Sequence, residues 1–349
     1  FIRRYTYKMG MVVGLFLFAM GSFLFLPASA MGEYYPFLFA YFVLTCGLSF
    51  LETSANPYIL TMGDSRKGVL RLNIAQSFNP IGCLLGIMVA KEFIIKRLSP
   101  LSAEERAMLP SEDFEVVKQT DLGILSSPYV WLGLVVLVVG VLLLVLPLHT
   151  SEDKEEREKL NFISTMKRLM VAPGYKTGFF AQFFYVGAQV MCWTFIVQYG
   201  TRLFTEQGYS EVESESMSLN YHMLAMVLFC VFRFICTGLM KVISASKLLA
   251  VFSLMAIVLT GFVIFSDDML GLYCLVGVSA CMSLMFPTIY GMALEGTGDD
   301  AKIGAAGLIM AILGGSILPP VQARVIDCGT IAGFSAVNLS YILPMICFV

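Results

Sequence analysis

The chain has 349 residues, of which 58% are hydrophobic and only 14% charged, with a mean hydropathy of +0.79. A soluble chain is nearer half apolar and a quarter charged, so the composition reads as that of a membrane protein. A formal net charge of −2 argues against a nucleic-acid partner.

In chain order, the sequence opens on a basic stretch, FIRRYTYK, in which no signal peptide is expected, and closes on the apolar LPMICFV. It is expected to be part of a longer polytopic protein. Runs long enough to cross a bilayer fall at about 9–30, 36–62, 70–95, 127–149, 174–204, 216–241, 246–266, 270–295 and 303–326, with a tenth starting near 335. All-α spans are expected, because a spanning segment must satisfy its backbone polar groups internally. Basic loops carry Arg3, Arg4, Lys8, Arg66, Lys67, Arg71, Lys154 to Lys176, Arg233, Lys241 and Lys247. The alternate loops are acidic or poor in Lys and Arg. This alternation predicts a cytoplasmic Phe1. The charged stretch 150–173 reads as a solvated cytoplasmic linker between an N-terminal bundle, 1–149, and a C-terminal bundle, 174–349. Four spans before the linker and six after it fit two six-span halves lacking the first two spans, with the last cut short.

Ionisable residues inside a span are costly and usually face a cavity or a partner. Glu52, in SFLETSANPY, is the clearest case. Arg71, Lys91, Glu92, Arg233, Lys241, Glu295 and Arg324 are expected near span ends, where they can reach water. Glu52 and Asn56 are four apart and share a helix face. Pro57 removes the donor for the Thr53 carbonyl, and a kink is expected there. In the next span, RLNIAQSFNP, Asn73, Gln76 and Asn79 recur every three residues as a polar stripe. At 1.5 Å per residue, Glu52 and Asn79 both lie roughly 14–15 Å deep, near the middle of the bilayer core. A carboxyl and an amide are thus expected at one depth. Amides alone can serve as glue between helices, and Asn73 suits that role as well as a site role.

In the second half, Gln182, Tyr185, Gln189 and Trp193 follow at steps of three, four and four, on one face of a helix. Amides with aromatics suit a sugar: hydroxyls need donors and acceptors, and the C–H face of the ring stacks on an aromatic plane. Gln182 and Trp193, near the two ends, also fit an interfacial belt. Asn220, beside His222, is a further candidate, as are Asn73 and Gln182. His222 could serve a proton relay, and His149 sits at a span end. Gly314-Gly315 with Pro319-Pro320 is expected to break the penultimate span. Nine scattered cysteines without a CxxC pair argue against a metal or disulfide role. The sequence contains no GxSxG, HExxH or Walker loop, which disfavours an enzyme.

FLETSANPY, RLNIAQSFN, AQFFYVGAQVMCW and FPTIYG together resemble the L-fucose–proton symporter group of the major facilitator superfamily, which includes glucose/galactose permeases. The likeness runs from that family's third helix into its twelfth. It implies a major facilitator fold of two six-helix halves, the one the span count also suggests. It further implies a proton-coupled importer of a monosaccharide such as L-fucose, glucose, galactose or N-acetylglucosamine. Such a protein works as a monomer in the inner membrane, with proton and sugar as partners and no cofactor or metal. By the same resemblance Glu52 is a protonation site, Gln76 and Asn79 line the sugar cavity, and a second carboxylate lies on the family's first helix. Two positions depart from the fucose transporters: Phe286 stands where they carry Tyr, and Phe232 where they carry Gly. The lost hydroxyl at 286 weakens the case for fucose itself. A proton-coupled exporter on the same fold predicts a more apolar cavity than Gln76, Asn79 and Gln189 suggest. A sugar sensor that does not transport is a further reading.

Overall fold

The computed structural model describes residues 6–64, 67–99, 101, 105–106, 108–147, 162–331 and 333–349. Arg3, Arg4, Arg66, His149 and the first part of the linker, 150–161, lie outside the described residues, as does the side chain of Lys91. Among the described residues, nine helical segments are long and apolar enough to cross a membrane: Tyr7–Met31, Tyr34–Thr61, Gly68–Ile94, Ser111–Val145, Pro173–Glu206, Glu213–Leu239, Ala245–Phe265, Met269–Leu294 and Ala301–Ile326. A shorter apolar segment follows at Ala336–Cys347. The one large departure from expectation is the fourth segment. Residues 111–126 read as an acidic loop, yet they are helical. Pro110 sits at the N-cap, and Glu112 and Asp113 occupy the first turn, where carboxylates favour the positive end of the helix dipole.

The chain divides into two compact units, Phe1–Tyr58 with Cys83–Glu155, and Ile59–Gly82 with Glu156–Val349. The grouping differs from the division at the linker, because segment 59–82 joins the later chain.

The first unit is built on α1 (Tyr7–Phe23), α2 (Phe25–Met31), α3 (Tyr34–Thr61, up to Tyr58) and a long helix 111–145, together with most of a helix 79–89. Two small residues let α1 and α3 touch backbone to backbone. A Cβ on Gly14 would stand 2.9 Å from the Gly47 carbonyl oxygen, and one on Gly47 would overlap the Phe18 amide. Close approach at glycine is how spans gain dispersion contacts where lipid supplies no hydrophobic drive. Lys8 Nζ donates to the carbonyls of Leu144 and Leu146, at 2.9 and 2.8 Å, and so caps the far end of helix 111–145. Phe25 is buried and stacks on Tyr129 with centroids 4.0 Å apart, and the Tyr129 hydroxyl bonds that of Tyr41.

The second unit begins with α4 (Gly68–Gln76), followed after a break by α5 (Asn79–Val89), which passes into the first unit after Gly82. With the 111–145 helix as α6, there follow α7 (Phe162–Val171), α8 (Pro173–Glu206), α9 (Glu211–Leu239), α10 (Ala245–Phe265), α11 (Met269–Met282), α12 (Met285–Leu294), α13 (Ala301–Met310), α14 (Gly314–Ile326), α15 (Ala336–Ser340) and α16 (Ile342–Cys347). A two-residue ribbon pairs Thr330–Ile331 with Phe334–Ser335 ahead of α15. The core forms around α8, whose Tyr185, Met191, Cys192, Ile196, Tyr199 and Leu203 are buried. α14 lies directly against α8, since a Cβ on Gly314 would overlap the Phe183 carbonyl oxygen. The expected interruption of the penultimate span is present as a 3-10 turn, Ala311–Leu313, just ahead of that glycine pair, while Pro319 and Pro320 are accommodated inside α14.

Two further breaks have a common cause. Pro80 cannot donate to the carbonyl of Gln76, and α4 ends at Gln76. Pro287 cannot donate to the carbonyl of Ser283, and α11 ends at Met282. Pro57 behaves differently, since α3 continues through it without interruption.

Candidate functional site

The candidate residues fall into the two units, and each group is built on its own. In the first unit, the four-residue spacing on α3 brings two side chains together: Asn56 Nδ2 donates to Glu52 Oε2 at 2.5 Å. Asn56 is buried and Glu52 half-buried. The flanking hydroxyls are committed to the helix, with Thr53 Oγ1 donating to Ser49 O at 2.7 Å and Ser54 Oγ to Phe50 O at 2.6 Å. Those bonds leave Glu52 and Asn56 as the side-chain pair with a function to explain. A carboxyl in a span costs most as an anion in a medium of low dielectric, and an amide donor on one oxygen offsets part of that cost.

In the second unit, the stripe on α4 and the start of α5 is graded in exposure. Asn73 is buried, Gln76 half-buried and Asn79 exposed at the head of α5. Asn73 Nδ2 donates to Val69 O at 2.9 Å and to Thr288 Oγ1, on α12, at 3.3 Å. One turn on, Ser77 Oγ and Thr237 Oγ1 of α9 are 3.3 Å apart. Asn73 thus links α4 to α12 through its amide nitrogen.

The stripe on α8 is graded too. Gln182 is fully buried and neither amide atom has a hydrogen-bond partner among the described residues. Tyr185 is buried, and its hydroxyl donates to Met282 O at 2.9 Å. Gln189 and Trp193 are half-buried. Trp193 Nε1 donates to Ser279 Oγ at 3.3 Å, and its ring meets Phe229 edge-on at 5.0 Å. Asn220 is exposed near the start of α9. Phe286 is half-buried, while its neighbours from 281 to 290 are all buried. The half-buried group of the second unit thus includes an amide, Gln189, and two aromatic rings, Trp193 and Phe286.

Arg233 corrects the sequence reading, which placed it near a span end. It is 3% exposed, donates through Nη1 to Ser283 O at 2.5 Å, and lies 5.1 Å over the Phe229 ring. The signal that could have found it is Pro287, which strips the Ser283 carbonyl of its helical donor and leaves a buried acceptor to satisfy. Arg71 behaves as a span-end residue should, donating to Leu60 O at 3.1 Å and Asp64 O at 2.6 Å at the end of α3.

With this geometry in hand, comparison with known proteins is informative. The profile of the Major Facilitator Superfamily matches residues 1–319. The chain is 43% identical over 357 residues to an L-fucose-proton symporter of Haemophilus influenzae, covering all of this chain and 81% of that protein. It is 30% identical over 349 residues to a glucose/galactose transporter of Brucella abortus, covering 99% of this chain and 77% of that protein. Its fold superposes on the crystal structure of a superfamily transporter, FucP, in the outward conformation, with a TM-score of 0.89, 30% identity, and coverage of 99% of this chain and 81% of that one.

Proposed function

Because this chain belongs to the Major Facilitator Superfamily and is a multi-pass membrane protein, we propose that it imports a monosaccharide together with a proton, with L-fucose the first candidate. The observation that carries the proposal is the Glu52–Asn56 pair on α3. Packing alone does not call for a carboxylate inside a span, whereas proton coupling does. The names of the relatives support the choice of sugar and proton. Gln189, Trp193 and Phe286 support it from the second unit, with an amide for hydroxyls and rings for the C–H face of the sugar.

In this reading Glu52 carries the proton, and Asn56 holds the carboxyl group in place. Gln76, Asn79, Gln189 and Trp193 meet the sugar. Sugar and proton enter from the outside and leave to the cytoplasm by alternating access. The protein sits in a bacterial inner membrane as a monomer, with the N-terminal end of this sequence cytoplasmic. Each pH unit across the membrane supplies about 1.4 kcal/mol per proton, the free energy of a tenfold sugar gradient, so one proton per sugar suffices.

Glucose, galactose or N-acetylglucosamine is the second reading of the substrate. The observation favouring it is Phe286, which offers no hydroxyl at the half-buried point of the α11–α12 break. The experiment is uptake of labelled L-fucose, D-galactose, D-glucose and N-acetylglucosamine by cells expressing the protein, with and without an uncoupler. Saturable uptake of one sugar, abolished by the uncoupler, is expected. No saturable uptake of any of them would turn the reading toward an exporter or a sensor.

A further inference from the structure

The break between α11 and α12 is held open by two side chains from other helices. Pro287 has no N–H, so the Ser283 carbonyl, four residues earlier, has no helical donor. Arg233 on α9 supplies one through Nη1 at 2.5 Å. The preceding carbonyl, that of Met282, accepts from the Tyr185 hydroxyl on α8 at 2.9 Å. Tyr185 therefore serves the carbonyl that an unbroken helix would pair with the Phe286 N–H. Beyond the break the first regular bond is long, with Thr288 N to Leu284 O at 3.3 Å.

Both donors are buried, at 3% exposure for Arg233 and 2% for Tyr185, and the side chain that emerges between them is the half-buried Phe286. Placing a guanidinium inside a span is costly, and a Ser or Thr hydroxyl would have satisfied a lone carbonyl at far smaller cost. The planar fork and its seat on the Phe229 ring, 5.1 Å away, give a fixed direction that a flexible donor would not.

We propose that Tyr185 and Arg233 are positioning residues that brace this break and thereby set where the Phe286 ring meets the sugar. Tyr185 then acts through the helix and not by touching substrate. The final clause rests on the sugar-transport reading; the brace itself does not.

The test has two arms on the intact membrane protein. The first is amide hydrogen exchange over residues 280–290 in detergent without sugar. Tyr185→Phe should speed exchange there about tenfold, while α10 stays at the wild-type rate. Arg233→Met should do the same, and Arg233→Lys, which keeps a donor, should stay within about threefold of wild type. The Lys variant also guards against reading a misfolded Met variant as a positive result. The second arm is uptake of the sugar that the wild type transports. Tyr185→Phe should raise the half-saturating concentration about tenfold with the maximal rate within about twofold. Unchanged exchange over 280–290 in Tyr185→Phe overturns the brace. Faster exchange with an unchanged half-saturating concentration overturns its link to the sugar. If the wild type takes up no sugar, the transport reading fails and the exchange arm still decides the brace.

Discussion

Replacing Gly14 by Ala tests whether α1 and α3 are held at backbone contact beside Glu52. The added Cβ would stand 2.9 Å from the Gly47 carbonyl oxygen, 2.9 Å from Leu51 Cγ and 3.0 Å from the Leu51 amide nitrogen. Ordinary contact for a Cβ begins near 3.4 Å, so the two helices must part by roughly half an ångström. One side of the contact is backbone and cannot rotate away. Overpacking of this kind typically costs about 1–3 kcal/mol. The fitting control is Gly86→Ala on α5, where a Cβ would meet nothing within 4 Å. That change should be neutral or slightly stabilising, since Ala loses less backbone entropy in a helix. Thermal unfolding in one detergent should therefore show Gly14→Ala melting several degrees below wild type and Gly86→Ala at or above it. Because Leu51 adjoins Glu52, Gly14→Ala should also slow proton-driven uptake. Equal melting temperatures for the two variants, or a larger loss for Gly86→Ala, would refute the reasoning.

A double-mutant cycle on Asn73→Ala and Thr288→Val, read by thermal unfolding, should give a coupling of about 0.6 kcal/mol and no more than about 1.7, the range for hydrogen bonds between spans; strict additivity would remove the pair 3.3 Å apart from the account. Trp193→Phe keeps a ring but loses the bond to Ser279, and should weaken sugar affinity only a few-fold, whereas Trp193→Ala should weaken it tenfold or more; equal effects would show that the ring face is not used. Arg168 binds Asp300 through two nitrogens, at 2.9 and 2.6 Å, but its side chain is 61% exposed. Arg168→Ala should therefore cost no more than about 1 kcal/mol, and the difference from wild type should fade near 1 M salt, as a comparison of melting temperatures at low and high ionic strength will show.

Particular residues show what could be read in advance. The spans were legible because unbroken apolar runs of sufficient length admit little except helices in a bilayer. Residues 111–126 were not, since a charged stretch gives no hydropathy signal although Pro110 and an acidic first turn start a helix well. The Glu52–Asn56 bond was legible because it depends only on helix geometry. On α8 the shared face of Gln182, Tyr185, Gln189 and Trp193 also follows from geometry. Which of the four is buried does not, because that depends on the helices packed against each turn. Arg233 lies six residues before the end of α9 at Leu239, a spacing equally open to reaching water and to facing inward. Its true partner, the Ser283 carbonyl, is fifty residues away and is created by a proline on another helix.

The most direct test of the central claim is Glu52→Gln, which keeps the amide bond partner of Asn56 but cannot carry a proton. Sugar accumulation against a gradient and sugar exchange at equal concentrations are measured in the same membrane vesicles, with an imposed inward proton gradient. The account predicts that accumulation is lost while exchange persists. Undiminished uphill accumulation by the Gln variant would contradict it.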